Sequence, residues 1–307
     1  MKVAIIGAGN VGASTCFLLA SKNICSEIIL IDIAEDVASG KAIDISQSSA
    51  ALGLNTAICA TSDYSKIANS DIVVITAGSP RKPGMSREDL LHVNTKIISS
   101  IVSEIKKYAP DTIMIVVSNP LDVLTYVALK VSGFERNRVI GMGNMLDCAR
   151  MTYTISKELK CAISDIDSLV IASHGEGMLP LTRFSSVQKK PLRELIDKTK
   201  LDDIIEKTKN GGAKIVKKLG TSAYYAPAAS ICVLIDAICN DTKAIYPCSV
   251  FLKNEYKSND VCIGVPVVIG KNGAQKIEEL SLNEEESKIF NNSVDAIKDM
   301  IAILKIQ

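Results

Sequence analysis

Apolar residues along this chain gather into short runs instead of alternating with polar ones. Such runs occupy residues 3–6, 28–31, 72–76 and 113–117, with a shorter one at 139–141. A strand that alternates buries one face. A run of four or five apolar residues suits a strand buried on both, which implies a parallel sheet with helices on each side. Helical spacing appears between the runs: residues 11–21 follow the first, and residues 90–108 read as one long amphipathic helix halted by Pro110. Past residue 143 the texture changes. Residues 146–159 predict a helix, 168–172 a strand, 250–251 and 261–268 further strands, and 283–303 a long closing helix. Asn283 with Glu286 predicts an N-cap and its return bond, with the acidic residues 284–286 in the turn where the helix dipole favours negative charge. The expected fold is therefore α/β: a doubly wound parallel sheet over residues 1–143, then a mixed α+β domain over 144–307. No repeat, low-complexity tract or Pro/Ser linker separates the halves, so a broad shared interface is expected.

Composition narrows the classes of partner. The 307 residues suffice for two domains, each with its own core. With 35 basic and 34 acidic residues, nothing calls for a polyanion, and the lack of Trp argues against an aromatic platform for nucleic acid. No apolar run reaches membrane-spanning length, and the N-terminus lacks the long apolar region and cleavage site of a signal peptide. The nine Cys (16, 25, 59, 148, 161, 232, 239, 248 and 262) form no CxxC pair. They read as small buried hydrophobes in a reducing compartment, so a cytoplasmic location is expected. With His92 and His174 as the only histidines, a zinc site is not expected.

Five clusters carry candidate chemistry. Gly7-Ala8-Gly9-Asn10-Val11-Gly12 follows the first strand and opens a helix. In that context Gly7 permits a tight turn, Gly9 the approach of a pyrophosphate, and Gly12 close helix–strand packing, as in a Rossmann dinucleotide site. Asp32 ends the second strand, placed to accept bonds from ribose hydroxyls and to repel a 2′-phosphate, which predicts NAD over NADP. The loop Ala77-Gly78-Ser79-Pro80-Arg81-Lys82-Pro83-Gly84-Met85-Ser86-Arg87 carries three cations at a strand's carboxyl end, suited to a lid. Val117-Ser118-Asn119-Pro120 ends another strand and offers a donor in Asn119. Asp147 and Arg150 stand at i and i+3 of a helix, where a plain ion pair is the simpler alternative. His174 sits in the glycine-flanked turn Ser173-His174-Gly175-Glu176-Gly177, and His is the side chain suited to proton transfer near neutral pH.

Together the segments GAGNVG, ITAGSPRKPGMSREDLL, VSNPLDVLTY, LDCAR, SHGEGMLP and SAYYAPAAS resemble the malate/lactate dehydrogenase family, and most closely its lactate-dehydrogenase-like malate dehydrogenases. The resemblance runs nearly the whole chain and makes residues 144–307 the substrate-binding and catalytic domain. It implies His174 as proton acceptor and donor, Asp147 as its orienting carboxylate, Arg150 as the grip on the C1 carboxylate, and Arg87, on the mobile loop, polarising the C2 carbonyl. Asn119 would bind substrate beside the nicotinamide, with Asn94, Val117 and Ser118 lining the cofactor site beside Gly7, Ala8, Gly9, Asn10, Val11, Gly12 and Asp32. Arg81 stands where lactate enzymes usually carry Gln, which implies malate/oxaloacetate as substrate pair, with lactate or a broad set of 2-hydroxy acids as the alternative. The resemblance also implies a homodimer or homotetramer. Three positions depart from the common pattern: Glu176 for Asp, Met151 for Phe, and Thr221 where malate enzymes often have Gly and lactate enzymes Thr. A non-catalytic NAD sensor would not need His174, Asp147 and three placed arginines, and a zinc alcohol dehydrogenase would need ligands absent here.

Overall fold

The computed structural model describes residues 1–80 and 84–304; Arg81 lies outside the described residues. In chain order its elements begin with β1 (Lys2–Ile6), α1 (Asn10–Ser21), β2 (Glu27–Ile31), α2 (Glu35–Ala51), β3 (Ala57–Thr61), β4 (Ile72–Ile75) and α3 (Arg87–Tyr108). There follow β5 (Ile113–Val116), α4 (Leu121–Ser132), β6 (Val139–Gly141), α5 (Gly143–Leu159), β7 (Ile166–Asp167), β8 (Val170–Ala172) and β9 (Met178–Pro180). The remainder is β10 (Ser186–Val187), β11 (Lys190–Pro191), α6 (Leu192–Leu195), α7 (Lys198–Leu219), α8 (Tyr225–Cys239), β12 (Ala244–Lys253), β13 (Asn259–Gly270), β14 (Gly273–Ile277) and α9 (Glu284–Leu304).

The first six strands pair in the order β3-β2-β1-β4-β5-β6, all parallel. That is the Rossmann order, and it sets the carboxyl ends of β1 and β4 either side of the point where strand order reverses. β1, β2, β4 and β5 are buried almost throughout, as their unalternated apolar runs require. The sheet does not stop at the expected domain boundary. β12 adds antiparallel to β6 through Ser249 and Gly141, and β13, β8 and β9 continue the same sheet. One apolar cluster accordingly runs from Val3 through Ile140 to Ile269 and Phe290, and a smaller one gathers Met151, Ile155, Val170 and Ile204. Met151, which replaces the frequent Phe, is thus a core residue.

Helix ends follow local chemistry. Ser86 caps α3 and Asp89 returns a bond to the Ser86 N–H, a reciprocal pair that starts the helix at residue 87, ahead of the predicted 90. Asn283 accepts from the Glu286 N–H and Glu286 from the Asn283 N–H, as the sequence predicts for α9. α2 and α7 fall outside the elements the sequence predicts. α2 buries Ala38, Ala42, Ile45 and Ser49, a helical stripe in which three of the four side chains are small. α7 buries only Leu201, Ile204 and Thr208. Five cysteines are buried, and burial pushes the thiols of Cys16, Cys25 and Cys232 up to about 12; Cys59 is exposed. Among the described residues, no helix is long and apolar enough to cross a membrane.

Candidate active site

The glycine turn takes the form its sequence requires. Gly7 has φ +106°, a conformation that a side chain strains, and a Cβ there would sit 2.7 Å from the Ala77 nitrogen. A Cβ on Gly12 would lie 1.8 Å from the Gly7 carbonyl oxygen, so α1 can approach the turn only with glycine there. A Cβ on Gly9 would meet nothing within 4 Å, which leaves its backbone open to a ligand. Gly9 is also the N-cap of α1, with no side chain on the first N–H groups and no acidic residue in the first turn. An uncapped helix N-terminus beside an open glycine backbone fits the pyrophosphate of a dinucleotide.

Asp32 does more than end β2. Its Oδ2 accepts from the Ala8 N–H at 2.6 Å and its Oδ1 from the Ala34 N–H at 2.9 Å, so the carboxylate braces the turn. Sequence reasoning missed Lys41. From α2 its ammonium donates to the Ala8 carbonyl at 2.6 Å and brings a positive charge beside the same turn. Only the fold places it there, and no local motif marks it.

At the ends of β4 and β5, Asn94 is buried and fully used. Its Oδ1 accepts from Ser79 N at 2.7 Å, and its Nδ2 donates to the Ser79 and Asn119 carbonyls at 3.2 and 2.7 Å. It therefore ties two strand-end loops together through backbone groups. The Ser118 hydroxyl donates to the Ala77 carbonyl at 2.6 Å and joins the same loops. Val117 is partly buried against the main core, Asn119 is exposed, and the Asn119–Pro120 peptide is cis.

The centre of the site is Asp147, which is fully buried on α5. Its Oδ2 lies 2.8 Å from His174 Nδ1, and its Oδ1 accepts from Arg150 Nη1 at 3.1 Å. The intrahelical ion pair and the His–Asp pair are both present, one on each oxygen. A carboxylate only accepts, so Nδ1 carries the proton and Nε2 of the neutral ring is left as an acceptor. Burial pushes the His174 pKa down. The charge and hydrogen bond of Asp147, aided by Asp122, outweigh both burial and Arg150, so it ends above the ordinary histidine value.

Arg150 has a buried Nε without a hydrogen-bond partner among the described residues, a donor open to an incoming anion. Room for its guanidinium comes from α7, where a Cβ on Gly211 or Gly212 would stand 3.2 Å from Arg150 atoms. Those glycines went unnoticed in the sequence because they lie in a Lys-rich helix with little apolar content. Arg87 differs from expectation. It is the first residue of α3, fixed by the Ser86 cap, and it pairs with Glu176 at 2.5 Å, both side chains being exposed. Glu176, the substituted position, thus holds Arg87 two residues from His174.

The structure brings His174, Asp147 and Arg150 into one hydrogen-bonded set and sets Arg87 beside the histidine turn, at the carboxyl ends of the strands. Residues 1–141 match the family profile described as lactate/malate dehydrogenase, NAD binding domain, and residues 144–305 the one described as lactate/malate dehydrogenase, alpha/beta C-terminal domain. The chain belongs to the lactate/malate dehydrogenase family. It is 48% identical over 307 residues to the malate dehydrogenase of a Nitratiruptor species, covering 100% of this chain and 96% of the relative. It is 49% identical over 304 residues to that of Sulfurimonas denitrificans, covering 99% and 95%. Among solved structures, malate dehydrogenase from Salinibacter ruber superposes with a TM-score of 0.95 at 38% identity, over 99% of this chain and 98% of that one. Lactate dehydrogenase from Cryptosporidium parvum, complexed with lactic acid and nicotinamide adenine dinucleotide, superposes with a TM-score of 0.95 at 36% identity, over 100% and 98%. The fold of this family member is thus shared by enzymes of both names, and its first domain is the family's NAD-binding domain.

Proposed function

We propose that this chain is an NAD-dependent malate dehydrogenase that interconverts malate and oxaloacetate. Residues 1–143 hold NAD and residues 144–307 supply the substrate and catalytic groups. The observation that carries the reading is Asp147 shared between His174 and Arg150 at 2.8 and 3.1 Å. One buried carboxylate thereby orients a proton carrier and a carboxylate-binding fork together.

In malate oxidation, His174 Nε2 takes the hydroxyl proton, and Asp147 stabilises the imidazolium that forms. Arg150 grips the C1 carboxylate through its guanidinium fork. Arg87 exchanges Glu176 for the C2 oxygen as the loop closes and water leaves. Asn119 donates to the substrate. Gly7, Ala8, Gly9, Asn10, Val11 and Gly12 cradle the pyrophosphate, and Asp32 takes the ribose hydroxyls. Asn94 and Ser118 keep the loops beside Val117 in register. Bound NAD supplies the hydride acceptor.

Substrate choice rests on Arg81. In a closed, dry site the second carboxylate of oxaloacetate balances its charge, whereas pyruvate would leave it unpaired. An uncompensated buried charge costs about 3–5 kcal/mol, or roughly two to three orders of magnitude in selectivity. The malate names of the curated relatives support this reading. Thr221 and the lactate dehydrogenases among the structural neighbours favour the rival, a lactate or broader 2-hydroxy acid enzyme. Following NADH absorbance with oxaloacetate and with pyruvate decides between them. Oxaloacetate is expected to have the larger kcat/KM by about two orders of magnitude, and equal values would refute the malate reading.

A further inference from the structure

The proton-transfer turn is held from an unexpected direction. His174 lies between Ala172 and Gly175, whose φ angles of +69° and +120° are both in the left-handed half of backbone space. Ala172 bears a side chain there, so the turn needs outside support to keep its shape. Asn144 Nδ2 donates to the Ala172 carbonyl at 3.0 Å, and the Ser293 hydroxyl donates to the Gly177 carbonyl at 2.7 Å. Neither bond touches His174 itself.

The bond to the His174 main chain comes from the other half of the molecule. Asp122 lies in the first turn of α4, three residues after Asn119, and is 3% exposed. Its Oδ2 accepts from the His174 main-chain N–H at 2.8 Å and from the Ser173 hydroxyl at 3.1 Å. Its Oδ1 meets no donor in hydrogen-bond geometry among the described residues. Burial holds the Asp122 carboxyl's pKa above the ordinary value, and Ser249 Oγ, also unpartnered, lies near enough to offset part of that rise. Ser249 is the residue that pairs with Gly141 where β12 joins the parallel sheet. Asp122 therefore stands at the seam of the two halves, with the nicotinamide-side loop behind it and the histidine turn in front.

We propose that Asp122 is a positioning residue for the proton transfer, fixing the His174 turn to the cofactor-binding half through the His174 N–H and the Ser173 hydroxyl. A buried carboxylate is costly where only packing is needed. Here it satisfies two donors of a strained turn and sets the distance from the proton carrier to the loop bearing Asn119. Groups facing the imidazole are Asp147 and Arg150 from α5 and Asp122 from α4. Facing Asp122 are the His174 turn, Ser249 of β12 and the Cys262 thiol of β13, which burial keeps protonated.

This inference rests on His174 as the proton carrier, not on which 2-oxo acid is the substrate. The test compares Asp122→Ala, which removes the acceptor, with Asp122→Asn, which keeps one. In Asp122→Ala, kcat should fall about 100-fold, the scale of a misplaced reacting group, with NADH affinity unchanged by fluorescence titration. Asp122→Asn should recover most of that loss. The chain has two histidines, so the His174 ring is followed by proton NMR in the substrate-free protein against His92. In Asp122→Ala its titration midpoint should drop by about one pH unit, as a favourable charge and the register with Asp147 are lost. A folded Asp122→Ala with wild-type kcat and an unchanged midpoint overturns the proposal. So does an Asn variant as impaired as Ala. Should Asp122→Ala not fold, Ser173→Ala decides. A lowered kcat with unchanged NADH affinity supports the proposal, and wild-type kcat overturns it. The NMR arm keeps its meaning even if oxaloacetate proves not to be the substrate.

Discussion

Asp147→Asn should nearly abolish proton transfer in a protein that still folds and binds NADH. The wild-type carboxylate is fully buried and serves His174 Nδ1 at 2.8 Å and Arg150 Nη1 at 3.1 Å. Asparagine keeps the shape but has one oxygen. Arg150 can only donate, so the amide oxygen must turn to it, and the amide NH2 then faces Nδ1. The imidazole answers by moving its proton to Nε2, the atom proposed to accept the malate hydroxyl proton. The charge is also lost. An opposite charge at this range raises a histidine pKa by about 1–3 pH units, or about 1.4–4 kcal/mol. Misassigned general acid–base chemistry costs about 10²–10⁴ in rate, so kcat for malate oxidation, in which Nε2 must accept, should fall by that factor. The sign with pH is fixed as well. Reduction needs the imidazolium, so the wild-type rate is full below the raised His174 pKa and declines as pH rises through it. In the variant the decline moves to lower pH. By the same linkage, the stability that His174 contributes is present below its unfolded pKa and lost as pH rises through the folded one. The assays are initial-rate NAD reduction with malate, for the fall in kcat, and NADH oxidation with oxaloacetate across pH, for the limb, with fluorescence titration of NADH as control. A variant within about tenfold of wild-type kcat, with an unmoved limb, would refute the reasoning.

Other outcomes are open to direct measurement. Arg81→Gln should raise pyruvate reduction relative to oxaloacetate by about two orders of magnitude, read as the ratio of kcat/KM values. Asp32→Ser removes the brace on Ala8 as well as the proposed ribose acceptor. It should raise the KM for NAD and narrow the NAD-to-NADP preference, and an unchanged ratio of the two cofactors' kcat/KM counts against that role. Glu286→Ala removes the α9 return bond and two bonds from Arg183 at 3.2 and 2.7 Å. It should cost about 1–3 kcal/mol, seen as a lower Tm by calorimetry. Burial raises the Glu286 pKa, but the Arg183 bonds bring it below the ordinary value. Its contribution is therefore present above the unfolded glutamate pKa and fades as pH falls through the depressed one.

Local signals were legible wherever one stretch of chain carried the whole physical cause. The double burial of a central strand shows as an unalternated apolar run, so β1, β2, β4 and β5 could be read directly. Gly7 and Gly12 announce a turn that no other residue tolerates, and Asn283 with Glu286 announces a helix start. α2 escaped because its buried stripe is mostly Ala and Ser, with Ile45 its one large apolar residue, and α7 because charged residues surround its few buried ones. Arg87 escaped in another way: the Ser86–Asp89 cap draws it into a helix that apolar spacing begins later.

What a strand or turn must be is decided within a few residues, because backbone sterics and burial act locally. Who meets whom is decided by closure of the sheet. Joining Ser249 to Gly141 carries the second half of the chain against the first. Only then do residues far apart in the chain, Asp122, Asp147 and His174, come within hydrogen-bond reach. No local pattern records that Arg150 needs Gly211 and Gly212, that Lys41 reaches Ala8, or that an aspartate in the cofactor half holds the histidine turn of the other. Those pairings exist because long-range packing buries these polar groups, and a buried polar group is held where it finds a partner.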